Sequence, residues 1–333
     1  MNELITNDPL NAERIFPYIG GAELNESPTH SHHRYVISFG EMTEKEARMW
    51  PDLMKILEEK VRPERLKDNR ESYRTYWWQF AERRVDLANA IRGMDRLLVT
   101  GRTSEYGGFA FLPRELVYSG QLVVFPVQDH GSFCLFQSRC FELWGRFFSS
   151  TQEDRYRFTP SDALQSFPCP TSPERPRDLE DAGKNYYEFR ADLMVRNNEG
   201  LTKTYNRFHD PDERSPDIFK LRELHAAMDH AVLDAYGWTD LKPTCEFLLD
   251  YEEDEDEDET GGTRRRKKPW RYRWPDDFRD EVLARLLELN RQRAEEERRS
   301  GAAESGRGKS TKKSTKGRKA DTKKPDQPEF FES

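Results

Sequence analysis

The spacing of apolar positions predicts helices first and a small sheet next. Thr43 and Glu46 form a capping box that opens a helix. The buried face of this helix recurs at helical spacing over Ala47, Trp50, Met54, Leu57 and Val61. Further along, the apolar runs become short, rich in β-branched and aromatic residues, and separated by Gly and Pro. These runs predict strands at Leu97–Thr100, Gly108–Leu112 and Gln121–Phe125.

The remaining patterns predict one further strand and several helices. They predict a strand over Arg34–Phe39, helical stretches at Tyr73–Phe80 and Val85–Ile91, and one long buried helix over Phe133–Phe148. Prolines up to Pro176 indicate a subdomain boundary. Beyond it, helical patterns run through Leu179–Leu193, from the Ser215-Pro216-Asp217 start signal to Gly237, and onward from Pro275.

These patterns predict an α+β fold, in which a small mixed or antiparallel sheet is flanked by helices and followed by a helical C-terminal subdomain and a disordered tail. We expect a first domain at residues 1–172, a helical subdomain at 173–299 and a tail at 300–333. Residues 250–268 contain an acidic run followed by a basic run, and predict a disordered insertion. The Lys/Ser/Thr/Gly-rich tail is expected to be disordered for a similar reason.

Charge is distributed unevenly along the 333 residues, whose formal net charge is −8. Residues 250–259 alone carry nine acids and no base, whereas residues 60–102 carry eleven Lys/Arg against six Asp/Glu. A basic cluster of this kind suits a phosphate-bearing partner, although a solvated helical face has the same composition.

The spacing of the cysteines and the length of the apolar runs indicate where in the cell the protein is located. The four cysteines are scattered without a C-x-x-C pair, as expected for free thiols in a reducing cytoplasm. No apolar run is long enough to span a membrane, and the N-terminus lacks a secretory pattern. We therefore expect a cytoplasmic protein without a membrane partner.

Motifs for catalysis are weak throughout. Asn7-Asp8-Pro9-Leu10 lacks the second proline and the aromatic residue of an adenine methyltransferase loop, and Gly20-Gly21 neither follows a convincing strand nor opens a helix. Asp52, Glu58 and Lys60 have the letters of a metal-dependent nuclease motif but fall in one predicted helix. His30, His32 and His33 are expected to be loop or strand-edge residues, since no second ligand pair has zinc spacing. We therefore assign no catalytic residue and no metal ligand.

A basic and aromatic segment gives a candidate binding surface. Its arginines alternate with aromatic residues and could contact DNA phosphates: Arg70, Arg74, Arg83 and Arg84. Trp77 and Phe80, from the same segment, are expected to lie in the core.

A second candidate is the polar segment from Glu153 to Arg157. On an extended chain, Glu153, Arg155 and Arg157 share one face because side chains alternate. Arginine can read guanine in the major groove, and a carboxylate can accept a hydrogen bond from cytosine N4. An exposed edge strand would show the same alternation.

Several segments together resemble the C-terminal part of MmeI-like (type IIL) restriction-modification enzymes and related large adenine methylases of phage-defence systems. The resemblance is carried by Ile15–Gly21, Ser27–His30 through Arg34–Met42, Tyr76–Phe80, Arg155–Asp162 with Phe167-Pro168, and Met228–Trp238. The order and spacing of these segments, over roughly residues 13–240, make it specific.

The resemblance implies a function for the first domain. It would be the target-recognition domain of an adenine-N6 DNA methyltransferase, with duplex DNA as its partner and Glu153, Arg155 and Arg157 as base-reading residues. Arg102 and Ser104, in a turn after a predicted strand, are implied secondary contacts. No cofactor is expected in this chain, because S-adenosylmethionine would bind in a methylase domain that is missing here or belongs to a separate methyltransferase/nuclease subunit.

The chain starts where recognition starts, so it is expected to be a split subunit or a truncated gene product without the catalytic domains. Two alternatives stay open. One is a protein-interaction module of a defence complex without its own DNA affinity. The other is a small nuclease that uses Asp52, Glu58 and Lys60.

Overall fold

The structure is a computed structural model that describes residues 1–80, 84–104, 106–148, 151–152, 155–157, 163–170, 177–249 and 270–300. Contacts along the chain divide it into two units, Met1–Leu287 and Glu288–Ser333. The predicted insertion at 250–268 and the tail beyond Ser300 lie outside the described residues, as do Arg83 and Glu153.

The described elements alternate between helices and short strands. The helices are α1 (Asn2–Asn7), α2 (Gly21–Glu26), α3 (Glu44–Ala47), α4 (Pro51–Lys60), α5 (Arg62–Leu66), α6 (Glu71–Thr75), α7 (Val85–Ala90), α8 (His130–Gln137), α9 (Arg139–Phe148), α10 (Arg177–Asn197), α11 (Leu201–Phe208), α12 (Pro216–Ala235) and α13 (Asp276–Arg299), with a 3-10 helix at Pro9–Arg14. The strands are β1 (Ile15–Ile19), β2 (Arg34–Ile37), β3 (Arg96–Gly101), β4 (Thr103–Ser104), β5 (Phe109–Pro113), β6 (Val117–Tyr118), β7 (Leu122–Phe125), β8 (Thr151–Gln152), β9 (Arg155–Arg157), β10 (Glu246–Leu249) and β11 (Trp270–Arg273).

The strands form four small sheets. The central sheet has the order β5-β3-β7, with both pairs antiparallel, and uses the three strands that the sequence predicts. In the second sheet, β1 lies between an antiparallel β2 and a parallel β6. A third sheet has the order β4-β9-β8, and β10 pairs with β11. Small sheets flanked by helices, followed by a helical C-terminal part, confirm the predicted α+β fold.

Two hydrophobic cores hold these elements. The larger core joins β3, β5 and β7 to the helices of the second half, and includes Phe109, Trp144, Tyr186 and Val232. Helix α10 packs so closely on α8 that a Cβ at Gly183 would collide with the carbonyl oxygen of His130, so only glycine fits at this position. The smaller core lies under α4 and is built around Phe39, Trp50, Leu53, Met54, Trp77 and Trp78.

Two predicted helices are interrupted. The capping box at Thr43 opens α3 as expected, but Pro51 disfavours a helical conformation at Trp50, so α4 starts anew. The run Phe133–Phe148 contains two helices, because Ser138 is extended and its hydroxyl oxygen accepts a hydrogen bond from the Phe141 amide as the cap of α9.

Other expectations about the first 80 residues need correction. Phe80 is 42% exposed rather than buried, because α6 ends at Thr75 and the helical period does not continue; Trp77 is buried as predicted. Gly20-Gly21 does follow a strand, β1, and does open a helix, α2. The short apolar run of β1 contains Pro17, which had weakened its strand pattern.

Within the described part of the chain, no helix combines the length and the apolar character needed to cross a membrane.

Candidate nucleic-acid interface

The β4-β9-β8 sheet brings together two segments that the sequence analysis selected separately. In the β4–β9 pair, Thr103 lies opposite Arg157 and Ser104 lies opposite Tyr156. In the adjoining β8–β9 pair, Gln152 lies opposite Arg155. The turn that carries Arg102 and Ser104 is therefore a direct neighbour of the strand that carries Arg155 and Arg157.

Local geometry explains how the chain enters β4. A Cβ at Gly101 would lie 3.3 Å from the Thr103 carbonyl oxygen, so glycine permits the close turn between β3 and β4. The Arg102 amide donates a 2.7 Å hydrogen bond to the carbonyl oxygen of Gln121, next to the start of β7. The central sheet thus anchors the backbone immediately before β4.

The two predicted secondary contacts have different environments. The Ser104 hydroxyl oxygen accepts hydrogen bonds from the amides of Tyr106 (3.3 Å) and Gly107 (3.0 Å), so it holds the following turn, where Gly107 has φ +61°. The Arg102 Nε is buried and finds no hydrogen-bond acceptor among the described residues. An unpaired buried donor costs about 1–3 kcal/mol, a cost that a bound acceptor would remove.

A groove of about 610 Å³ lies beside this turn. Arg102, Thr103 and Ser104 form one wall, while α2, the turn before β7 and the start of α11 form the others. Polar side chains from these other elements line the groove: Asn25, Glu26, Gln121, Thr202 and Tyr205. Sequence analysis missed these residues because they come from three distant segments and none has a local pattern that distinguishes it.

Three of the predicted phosphate-binding arginines are described, and two of them, Arg70 and Arg74, lie at α6, close to the smaller core. The Arg70 Nη1 donates to the Tyr73 hydroxyl at 2.5 Å, and the Arg74 Nη1 donates to the Asp68 carbonyl oxygen at 2.6 Å. Arg84, which precedes α7 with φ +48°, is exposed, as is Arg70. Arg74 is half-buried and helps to hold the loop before α6, so Arg70 and Arg84 are the more accessible members.

The residues of the nuclease alternative all lie in α4. The helix presents Leu53, Met54 and Leu57 to the core, and Glu58 forms a 3.0 Å ion pair with Arg48. Asp52 and Lys60, near its two ends, are separated along a single helix rather than placed on neighbouring strands. Among the described residues, no group of three or more His, Cys, Asp or Glu side chains has a metal-binding arrangement.

The histidine cluster is occupied by local contacts. The His30 Nδ1 lies 2.8 Å from the Leu24 carbonyl oxygen, and burial lowers the pKa of this ring to about 4. The His32 Nε2 lies 3.2 Å from the Tyr35 hydroxyl. His30 thus contacts α2 and His32 contacts β2, and both lie in the segment between these two elements, as expected for loop or strand-edge residues.

The turn at Gly20 is closed by a carboxylate. Glu23 accepts a hydrogen bond from the Gly20 amide at 3.0 Å and binds the Arg34 guanidinium at 2.6 and 2.7 Å. The hydrogen bond from Arg34 lowers the pKa of Glu23 to about 2. Because the Gly20 amide already donates its hydrogen bond to the Glu23 carboxylate, this amide is not available to bind an anion at the turn between β1 and α2.

Comparison with known proteins relates the chain to a family of target recognition domains. The family model described as the target recognition domain of MmeI matches residues 1–171. Of 14 matching chains of known structure, one is the type IIL restriction-modification enzyme MmeI in complex with DNA. The two chains are 20% identical with a TM-score of 0.57, a likeness that shows the fold; the match covers 87% of this chain and 32% of that one. No curated protein sequence matches this chain.

Proposed function

Because the chain belongs to the family of MmeI target recognition domains, we propose that it reads a short base sequence in duplex DNA for a restriction-modification methyltransferase. The observation that carries the proposal is the β4-β9-β8 sheet, which places Arg102–Ser104 beside Arg155–Arg157. The likeness to the fold of an enzyme whose structure includes DNA supports the same conclusion.

Base readout is assigned to the central strand of this sheet, β9. Positions 155 and 157 are two apart in β9, a spacing that places them on one face of the strand. We propose that Arg155 and Arg157 read base edges in the major groove together with Glu153, which lies outside the described residues. We propose Arg102, which lines the groove beside β4, as a secondary contact, whereas Ser104 contributes mainly by shaping the turn.

Phosphate contacts fix the position of the domain on the duplex without reading sequence. We assign this role to Arg70 and Arg84, which are exposed, with Arg74 and Arg83 as neighbours in the same segment. These arginines add affinity for any sequence, and their contribution falls as the salt concentration rises.

Chemistry is assigned to domains outside these residues. We propose that methyl transfer to adenine N6 takes place in a methyltransferase domain that binds S-adenosylmethionine and receives the flipped base. Cleavage would belong to a nuclease domain. Either domain is supplied by a longer form of the protein or by a separate subunit, and the complex acts in the cytoplasm.

Selection from a pool of random duplexes tests this proposal directly. The purified chain is expected to enrich a short motif, and Arg155→Gln is expected to abolish that enrichment. Arg114→Gln is the matched control, because the Arg114 side chain is 40% exposed and lies just past the end of β5, which pairs with the Arg96 end of β3, away from β4.

Two results would contradict the proposal. Folded protein that enriches nothing at low or moderate salt does not read DNA by itself. Binding to a protein partner that is insensitive to salt, with no DNA affinity, would favour the interaction-module alternative.

A further inference from the structure

The turn between β4 and β5 is attached to helix α11 through one aromatic side chain. The ring of Tyr106 lies nearly parallel to the ring of His209, with 5.0 Å between the centroids and 12° between the planes. The same ring stacks on Tyr205 at 6.0 Å and 25°. The Tyr106 hydroxyl donates a 2.6 Å hydrogen bond to the Asn206 Oδ1. Two residues of α11 and its C-cap residue, His209, therefore contact a single side chain of the turn.

The backbone of this turn also lies against α11. A Cβ at Gly108 would be 3.1 Å from the Tyr205 ring, so glycine lets the chain approach the helix closely at this position. The Gly108 carbonyl oxygen accepts a 2.9 Å hydrogen bond from the Thr100 hydroxyl of β3. At the other end of the turn, the Ser104 hydroxyl oxygen holds two backbone amides. The turn is thus fixed on the β4 side and on the β5 side.

Buried arginines of two neighbouring helices hold α11 in place. Arg190 of α10 is 1% exposed, and its Nη1 donates to the Tyr205 hydroxyl at 2.8 Å. Arg222 of α12 donates to the carbonyl oxygens of Phe208 at 2.9 Å and Arg207 at 3.2 Å, which lie at the C-terminal end of α11. Hydrogen bonds from charged donors are stronger than those between neutral groups. The position of α11 is therefore set by α10 and α12.

We propose that Tyr106 is a positioning residue for base readout, which transmits the position of α11 to strand β4 and through it to β9. This inference rests on the proposed function. Tyr106 comes two residues after the end of β4, and β4 pairs with β9 through Thr103–Arg157 and Ser104–Tyr156. Because sheets of such short strands are marginally stable by themselves, their position depends on the elements that they pack against.

Reading bases requires more accurate positioning than binding phosphates. A functional side chain has to be held within roughly 0.5 Å of its productive geometry, and a bidentate contact between arginine and guanine has two hydrogen bonds to align. Phosphate contacts carry no sequence information. Loosening the Tyr106 stack should therefore lower affinity for the selected sequence more than affinity for other sequences. The inference gives a role in recognition to α11, which lies beyond residues 1–171 of the family model.

Tyr106→Leu in the full chain removes the stacking on α11. DNA affinity is measured on a duplex that the wild type selects and on a scrambled duplex, at several salt concentrations. We expect the affinity for the selected duplex to fall at least about five-fold, the lower end of what one bidentate base contact contributes. The affinity for the scrambled duplex and the salt dependence should stay the same, because no phosphate contact is removed.

Trp238→Leu is the matched control. Trp238 lies just after α12 and stacks on Tyr236, with 4.5 Å between the centroids and 14° between the planes. Trp238 and Tyr106 are both half-buried, so each substitution removes a comparable aromatic stack. We expect Trp238→Leu to discriminate between the two duplexes as the wild type does. Urea unfolding midpoints compare the stability of the two variants.

The hydrogen bond to Asn206 gives a milder test, which applies even if Tyr106→Leu does not fold. Asn206→Ala and Tyr106→Phe each remove this bond, from opposite ends, and Asn206 is exposed on α11. Each variant should lower the ratio of the two affinities by roughly two-fold, as expected for one exposed hydrogen bond. The double variant should lower the ratio no further, because all three variants lack the same bond.

The outcomes separate this inference from the proposed function. If the wild type selects a motif but Tyr106→Leu discriminates as well as Trp238→Leu, or if the losses of the two milder variants add, Tyr106 does not position the strand. An equal loss on both duplexes with a weaker salt dependence would also overturn the inference, because Tyr106 would then contact the DNA backbone itself. If the wild type selects no motif, the proposed function fails, and this inference with it.

Discussion

A buried ion pair between α9 and α12 allows a quantitative prediction about stability. Asp229 is fully buried, and its carboxylate accepts hydrogen bonds from the Arg139 amide at 2.9 Å and from the Arg139 Nη1 at 2.6 Å. Arg139 is 6% exposed, and its Nη1 also lies 2.7 Å from the His225 Nδ1. Burial opposes the ionisation of Asp229, but the Arg139 charge outweighs it and lowers the pKa of the carboxyl group.

Replacing Asp229 by Ala would leave a buried guanidinium without its counter-charge. Removing one partner of a buried pair costs about 3–5 kcal/mol, whereas replacing both partners by apolar groups is often close to neutral. We therefore expect Asp229→Ala to lower the free energy of unfolding by about 3–5 kcal/mol. The double variant Arg139→Met/Asp229→Leu should be more stable than Asp229→Ala.

Urea unfolding followed by circular dichroism measures these free energies, with the midpoint and slope fitted for each variant. If Asp229→Ala lowered the free energy of unfolding by less than about 1 kcal/mol, the expected cost of an unpaired charge would be wrong, because the Arg139 guanidinium would then have to be solvated. A double variant that is no more stable than the single variant would show that the site depends on shape rather than on charge.

Three further predictions follow from the burial of other groups. The His209 Nδ1 accepts a hydrogen bond from the Tyr272 amide, and the pKa of this ring is well below 6.5. The stabilisation that neutral His209 gives is therefore present above pH 6.5 and is lost on acidification. His209→Asn should reduce the slope of the unfolding free energy against pH, below pH 6.5, by up to about 1.4 kcal/mol per pH unit. Gly183→Ala should lower the free energy of unfolding by about 3 kcal/mol or prevent folding, whereas Gly120→Ala, which meets no atom within 4 Å, should leave it nearly unchanged. Exposed Cys169 should react with iodoacetamide at pH 8 long before Cys134, because burial raises the pKa of the Cys134 thiol; equal labelling rates by mass spectrometry would contradict this.

Local signals in the sequence were sufficient for much of the fold. The start signals at Thr43 and Ser215 and the stop at Gly237 act within one helical turn, so they can be read without tertiary context. The three strands of the central sheet were predicted for a comparable reason, since their β-branched and aromatic runs are bounded by Gly and Pro.

Features that depend on distant residues could not be predicted. Strands β10 and β11 form a two-stranded sheet across the charged run at 250–269, and neither is long enough to show a clear period. Helix α11 has no clear start signal in the sequence, because a glycine that follows a helical pattern is typical of a helix stop. In the structure Gly200 is instead the N-cap of α11 and packs against the backbone of Asn25 and Glu26.

The candidate site, too, could be predicted from the sequence only in part. The sequence selected the segments of Arg102 and Arg155 separately, while their pairing in one sheet required the structure.

The central claim is that the β4-β9-β8 sheet reads bases. The most direct test is to measure how Arg157→Gln binds a set of duplexes that carry every single-base change in the selected site, beside the wild type. We expect Arg157→Gln to lose about 1–3 kcal/mol of binding free energy on the selected site, with discrimination between bases relaxed at one position and retained at the others. An equal loss on every duplex, with all discrimination retained, would place Arg157 on the phosphate backbone and contradict the claim.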